Sequence, residues 1–420
     1  MLLVIAMSGS FVEHFAACTA LALLFLSAAA GQPQGIQPSS PQNGTQKTSS
    51  NPALLREAAK AFAAGDLKLA EIELQTILQA DPEDYHALNF MGILRAQQKR
   101  ESDAEDFFKH VIRIKPDFAG GHSGLGLLYI QMGRREDAIA QLDETLRLDP
   151  SRTDARDSLV RLRIEEASAA LDEKNPEKAL AAMLQARKLN PSDLEVQYRL
   201  GMVELQMSLF ADAMEAFHTV LASKADGGPA LYGLGRAQMG AAKYADAKDS
   251  FSGYVQLHPN DPSGHYALGL ALQTLQENLP AREQFERSIA LRPVQTESYF
   301  RLGLLDLAEN QLDSAENNFR TTLKRDEKHA GALTGMGQVA YQRKNYEQAA
   351  EFLRRAIASD STLREAHYYL GLALARLGQK EESVKELDIA TRLEHAEVEQ
   401  HQHALKILGL EESPPSAPAN

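Results

Sequence analysis

Residues 228–261, GPALYGLGRAQMGAAKYADAKDSFSGYVQLHPND, and residues 262–295, PSGHYALGLALQTLQENLPAREQFERSIALRPVQ, keep their key residues in register when one is laid under the other. Gly235 falls on Gly269, Ala247 on Ala281, Phe251 on Phe285 and Pro259 on Pro293, each pair 34 residues apart. The frame runs back to Leu194 and Val160 and forward to Thr296, Ala330 and Arg364. Upstream of Val160 it slips by seven residues and resumes at Ala119, Tyr85 and Asn51, so that ten units cover 51–397. A period in this range is the signature of a stacked repeat array, and a chain of 420 residues is long for one globular core.

Each fixed position has a physical reading. The eighth is Gly92, Gly126, Gly201, Gly235, Gly269, Gly303, Gly337 and Gly371, with Ala58 and Ala167 in the other two units. A small residue recurring inside a helix costs about 1 kcal/mol against Ala when it is Gly, and is kept where two helices cross too closely for a side chain. The twentieth is Ala in nine units, Ala70 to Ala349, and Ser383 in the last, and is expected to face that glycine. A bulky group follows at position 24 (Leu74, Phe108, Leu142, Met183, Phe217, Phe251, Phe285, Phe319, Leu353, Leu387) and is expected to fill the space between neighbouring units. Pro82, Pro116, Pro150, Pro191, Pro259 and Pro293 at position 32 end one helix before the next begins. Each unit therefore reads as helix, turn, helix. A single hairpin cannot bury enough apolar area to offset the conformational entropy of 34 ordered residues, on the order of 50 kcal/mol, so the units must stack.

This pattern of Leu-Gly, Ala, Phe and Pro at fixed offsets resembles the tetratricopeptide repeat (TPR) family over about five sixths of the chain. The family's Trp at position four is absent, with Leu88, Leu231, Tyr299 and Leu333 among its replacements, and the last three units have Glu327, Ser361 and His395 in place of Pro. The resemblance implies an all-α fold, a right-handed α-solenoid of stacked helix-turn-helix units. Residues 51–152 are read as units 1–3, 153–159 as an insertion that lengthens a helix by two turns in phase, and 160–397 as units 4–10. Residues 398–409 are read as a C-terminal capping helix and 410–420 as a disordered tail.

Ahead of the repeats, residues 16–30 are an unbroken run of apolar and small residues ending Ser27-Ala28-Ala29-Ala30, the form of a signal-peptidase site. As a helix, 15 residues span roughly 22 Å, short of the roughly 30 Å hydrocarbon core, so 1–30 is read as a cleaved signal, with retention as an anchor or lipidation at Cys18 as alternatives. Residues 31–50, GQPQGIQPSSPQNGTQKTSS, form a disordered Pro/Gln/Ser linker. Cys18 is the only cysteine, which leaves no disulfide, zinc or thiol chemistry to a processed chain. A net charge of -13 without a basic stripe disfavours nucleic acid. No nucleophile motif, phosphate loop or dinucleotide fingerprint is present, and the pair His401 and His403 with Glu397 and Glu399 reads as a solvated cap rather than a metal site. No cofactor, metal or catalytic residue is assigned.

Binding is the remaining function. The resemblance implies that first helices line a concave groove. On them, positions 5, 9 and 12 share one face beside the core stripe and are unusually apolar in units five to eight. They read Tyr198, Met202, Leu205; Tyr232, Arg236, Met239; Tyr266, Leu270, Gln273; Phe300, Leu304, Leu307; unit ten adds Tyr368, Leu372, Ala375. An aromatic recurring every 34 residues at position five would make a ladder able to hold a protein or peptide segment; the competing reading has these side chains packing against the next unit's first helix. The family's carboxylate clamp (Lys at five, Asn at nine) and its position-six asparagine ladder are both missing. The expectation is thus an exported, non-catalytic protein-binding scaffold, with a component of an envelope machine for polysaccharide export or pilus assembly, or an accessory subunit of an enzyme encoded elsewhere, as alternatives.

Overall fold

The computed structural model describes residues 52–223 and 227–407, without side chains at 397, 398 and 400–407. The signal segment, the linker and residues 408–420 of the cap and tail lie outside the described residues. The described chain forms twenty helices and no strand. They are α1 (Pro52–Ala63), α2 (Leu67–Ala80), α3 (Tyr85–Gln97), α4 (Glu101–Ile114), α5 (Ala119–Gln131), α6 (Arg135–Leu148), α7 (Thr153–Asp172), α8 (Pro176–Leu189), α9 (Leu194–Gln206) and α10 (Phe210–Leu221). The series continues with α11 (Gly228–Gly240), α12 (Tyr244–Leu257), α13 (Pro262–Thr274), α14 (Asn278–Leu291), α15 (Thr296–Ala308), α16 (Leu312–Leu323), α17 (Ala330–Gln342), α18 (Tyr346–Ser359), α19 (Arg364–Arg376) and α20 (Lys380–Ile407). Odd and even helices pair as ten hairpins, one per repeat.

The chain divides into two compact units, with the boundary inside α9 between Val196 and Gln197. In each, the second helix of a hairpin packs on the first helix of the next, as α4 on α5 and α18 on α19. First helices also touch directly, α3 with α5 in the N-terminal unit and α15, α17 and α19 in succession in the C-terminal one. In the N-terminal unit, α7 is a continuous 20-residue helix whose first two turns bury Ala155, Ser158 and Leu159. At the other end α20 runs 28 residues without a break across 397 and 398.

The glycine at position eight meets the position-20 residue as expected, a Cβ on Gly126 falling 3.4 Å from the Ala138 carbonyl and the Ser383 hydroxyl donating to the Gly371 carbonyl at 2.8 Å, and it meets residue 24 more closely still. A Cβ placed on Gly235 would lie 2.6 Å from the Phe251 ring, on Gly269 2.7 Å from Phe285, on Gly303 2.6 Å from Phe319 and on Gly126 2.8 Å from Leu142. Residue 24 therefore shares the glycine's face with the position-20 residue. Helical side chains lean toward the N-terminus, so the ring reaches back one turn and covers the position-20 alanine as well as the glycine. The alanines remain fully buried, 0% exposed at Ala247, Ala281 and Ala315. The other side of the ring meets the following hairpin: Gly124 crowds Phe108, Gly233 crowds Phe217 and Gly335 crowds Phe319. Residue 24 thus fills both the hairpin and the space between hairpins.

The turn inside each hairpin is equally regular. Residue 15 of all ten repeats adopts positive φ, between 57° and 79°, and is glycine only at Gly65, Gly133 and Gly378. Elsewhere it is Lys99, Lys174, Ser208, Ala242, Gln276, Asn310 or Lys344. In the second repeat the Lys99 N–H donates to the Ala96 carbonyl at 3.0 Å and the Arg100 N–H to that of Arg95 at 2.9 Å, the paired bonds of a left-handed helix terminus. The seven non-glycine turns hold a conformation that L-residues disfavour by about 1–2 kcal/mol.

Two outcomes follow. Gly269→Ala forces a methyl into the Phe285 ring and is expected to lower the unfolding free energy by about 2 kcal/mol. Ala242→Gly relieves the left-handed turn against the added entropy of the unfolded chain and is expected to raise it by about 0.5–1 kcal/mol. Urea denaturation followed by circular dichroism measures both.

Candidate functional site

The position-five aromatics of repeats five to eight lie in the C-terminal unit, on α9, α11, α13 and α15, and each is half-buried. Tyr198 packs on Phe217, Tyr232 on Phe251, Tyr266 on Phe285 and Phe300 on Phe319, with ring centroids 6.1, 5.7, 5.9 and 6.2 Å apart and planes tilted by 47–59°. The partner in every case is residue 24 of the same hairpin. One side of each aromatic covers the core phenylalanine; Tyr232 also meets Tyr254 at 5.0 Å, and Phe300 meets His329 and, in the following repeat, Gly331, so that each ring is only partly open to solvent.

Around these rings, Met202, Leu270 and Leu304 are half-buried, packed against the buried clusters of their own repeats, as are Met239 and Leu307. Leu205, 8% exposed, belongs to the core. Gln273 is half-buried and Arg236 exposed. The ladder is interrupted in the ninth repeat, where position five is Thr334, buried and donating its hydroxyl to the Ala330 carbonyl at 2.9 Å. In the tenth, Tyr368 is 43% exposed and meets Tyr369 edge-on at 5.4 Å. Tyr369 in turn touches Tyr341 at 5.9 Å, and Tyr341 touches Tyr346 at 5.5 Å. Leu372 is half-buried and Ala375 exposed. This tyrosine cluster escaped the periodic reading because its members occupy different repeat positions.

Burial raises the phenols of Tyr232 and Tyr266 above the ordinary tyrosine range. Tyr254 is raised further, by burial and by donating its hydroxyl to Asp261 at 2.5 Å. Burial opposes ionisation of Asp261, yet the bonds from Tyr254 and from the Ser263 N–H, 2.9 Å away, hold it below the usual carboxylate range. At the far end of the ladder His329 stacks 4.7 Å from Phe300 and caps α17, its Nδ1 accepting the Ala332 N–H at 3.0 Å while Nε2 faces Glu297 at 3.2 Å. The His329 bond lowers the Glu297 carboxyl. The Arg301 guanidinium lies 5.6 Å over Phe300, and its buried Nε has no partner.

Sequence reasoning also passed over a second series at position four. His122, His265 and His367 are buried at 8%, 6% and 4% exposure, where the family pattern has Trp. In each, Nε2 donates to a backbone carbonyl of the preceding linker, Pro116 (2.9 Å), Pro259 (3.0 Å) or Ser361 (3.1 Å). Nδ1 meets residue 23, the Gln141 or Gln284 carboxamide or the Glu386 carboxylate, at 2.9, 2.8 and 2.6 Å. The recurring H, spaced like the glycines, was the available signal. These rings tie linker to second helix and take no part in the exposed face.

Among the described residues no group of three His, Cys, Asp or Glu is placed to hold a metal ion, and no helix is long and apolar enough to cross a membrane. His401 and His403 lie outside the residues whose side chains are described.

Family models described as Tetratricopeptide repeat match residues 55–117, 164–229, 232–296 and 300–363, and a second such model matches 95–162. Among curated proteins, cellulose synthase operon protein C of Pseudomonas fluorescens is 30% identical over 179 residues, 43% of this chain and 12% of that protein. The Escherichia coli K12 protein of the same name is 30% identical over 140 residues, 32% of this chain and 12% of its own length. The human protein O-mannosyl-transferase TMTC3 is 30% identical over 101 residues, 23% of this chain and 11% of that protein. This chain therefore spans about an eighth of the curated relatives it matches. Among solved structures, that of Pseudomonas aeruginosa pilF is 20% identical with a TM-score of 0.45, over 50% of this chain and 96% of that one. YrrB, described as a TPR protein with an unusual peptide-binding site, is 24% identical with a TM-score of 0.38, over 44% of this chain and 95% of that one.

Replacing His265 by Ala leaves the Pro259 carbonyl unsatisfied and a hole beneath α13, and is expected to cost about 2–3 kcal/mol in urea unfolding.

Proposed function

The chain belongs to the tetratricopeptide repeat family, and from that premise we propose that it is a non-catalytic scaffold that docks a protein or peptide on the first-helix face of α9, α11, α13 and α15. The observation that carries this reading is the recurrence of Tyr198, Tyr232, Tyr266 and Phe300, each braced on a core phenylalanine and each with part of its ring in solvent. A rigid aromatic loses little conformational entropy when a ligand covers it, and Tyr and Arg are the residues that dominate binding hot spots. Met202, Leu270 and Leu304 supply the apolar floor between the rings, Arg236 a polar rim, and Tyr368 a further aromatic in the last repeat.

A second reading makes the chain an exported component of a cell-envelope assembly. Its support is the similarity to cellulose synthase operon protein C over 179 residues, together with the signal-like segment 16–30. Both readings use the same face and differ in whether the partner is mobile or membrane-associated.

Tyr232→Ala combined with Tyr266→Ala is expected to weaken capture of the natural partner by at least about tenfold, with the far-ultraviolet helical signal retained. Undiminished capture by the folded variant contradicts the assignment of this face.

A further inference from the structure

Residue 34 of a repeat stands at the N-terminus of the next first helix, and in three places it caps that helix with a carboxylate. Asp84 Oδ1 accepts the Ala87 N–H at 2.9 Å, Asp193 Oδ1 those of Glu195 and Val196 at 2.9 and 3.2 Å, and Asp261 Oδ1 that of Ser263 at 2.9 Å. Between the eighth and ninth repeats the same place is held by His329, whose Nδ1 accepts the Ala332 N–H at 3.0 Å. A carboxylate keeps that acceptor throughout the neutral range, whereas an imidazole keeps it only while Nδ1 is unprotonated. A backbone N–H can only donate, so the cap fixes the tautomer. The ring hydrogen is on Nε2 and is donated to Glu297 Oε1 at 3.2 Å.

The groups around the ring make the opposite demand. Glu297 of α15 and Asp326 of the linker act on it, while Arg301 of α15 acts on Glu297. Arg325, just past the end of α16, is drawn off to the Thr321 and Pro293 carbonyls and the Tyr299 ring. On the remaining side α17 carries no charged residue and presents only the positive end of its backbone dipole. The hydrogen bond with Glu297 outweighs burial, and with the charges of Glu297 and Asp326 it holds the imidazole above the ordinary histidine range. The one nitrogen left to take a proton is Nδ1, and a hydrogen there sets N–H against N–H at the cap. The ring also lies 4.7 Å from Phe300, whose edge is closed by Gly331, where a Cβ would fall 2.7 Å from the Phe300 Cζ. Any movement of the imidazole therefore alters the cover of Phe300.

We infer that His329 is a proton-operated cap at the junction of the eighth and ninth repeats. Neutral, it holds the first turn of α17 through the Ala332 N–H and lies over Phe300; protonated, it gives up that N–H for Glu297, loosens the turn and uncovers Phe300. The carboxylate caps at Asp84, Asp193 and Asp261 have no such second state near neutrality. The switch stands on this junction alone and does not depend on whether the aromatic face docks a partner.

The test is nuclear magnetic resonance of the full-length chain, labelled with nitrogen-15 in its histidine rings and alanine amides and titrated from about pH 8 to about pH 5, across the ordinary histidine range. At the alkaline end the His329 ring is expected to show a bare Nδ1 and a protonated Nε2. As the pH falls, Nδ1 should gain its hydrogen, and the Ala332 amide resonance should move with the same midpoint. Solvent exchange of that amide, corrected for its intrinsic pH dependence, should rise about fivefold, the loss of one N-cap bond. In His329→Asp, which installs the cap of the other junctions, the Ala332 amide should stay fixed across the titration. A hydrogen on Nδ1 at the alkaline end, an Ala332 amide indifferent to titration of the ring, or the same Ala332 shift in His329→Asp would each overturn the inference.

Discussion

The contact on which the architecture depends is the meeting of residue 24 with the bare backbone at position eight. Phe251, Phe285 and Phe319 lie within 3 Å of where a Cβ would stand on Gly235, Gly269 and Gly303, so the helices of a hairpin approach as closely as an aromatic ring allows. Phe108, Phe217 and Phe319 are pressed from the other side by Gly124, Gly233 and Gly335 of the following hairpin. One ring therefore sets both the crossing within a hairpin and the spacing between hairpins. The exposed face inherits that order, because Tyr198, Tyr232, Tyr266 and Phe300 each rest on such a ring. Function and packing are joined at residue 24: the same phenylalanine that closes the core presents the aromatic next to it.

Much of this was legible from the 34-residue period, because a residue type that recurs at one position must meet the same environment each time. Gly235, Ala247, Phe251 and Pro259 by their spacing alone place both helices and the linker of their repeat. The position-20 partner of the glycine was legible, but the closer ring of residue 24 was not, since spacing along a helix does not show how far a phenylalanine leans back over the preceding turn. The left-handed residue at position 15 was not legible either. Its occupants, Lys99, Ser208, Ala242 and Asn310 among them, share a backbone state and no side-chain chemistry, so composition carries no trace of it.

The candidate face was readable in its residues and not in its depth. Tyr232 and Tyr266 could be placed on one side of successive first helices, but their half-burial against Phe251 and Phe285 is set by tertiary packing. The polar members of the interior were hidden for the opposite reason. Asp306, 1% exposed and held by Arg282 and Asn318 at 2.7 Å each, sits where a helical stripe would be filled by an apolar residue, and a carboxylate there has meaning only once its partners are known. Likewise His122, His265 and His367 take the place of an absent Trp by exchanging bulk for two hydrogen bonds.

The claim that residue 24 and position eight act as one unit is tested most directly by a double-mutant cycle of Gly235→Ala and Phe251→Ala in urea unfolding. If the ring is what forbids a methyl at 235, removing the ring makes room for it, and the double variant should be more stable than the sum of the single losses by more than about 1 kcal/mol. Additivity within about 0.5 kcal/mol would show that the two positions contribute independently and would contradict the account.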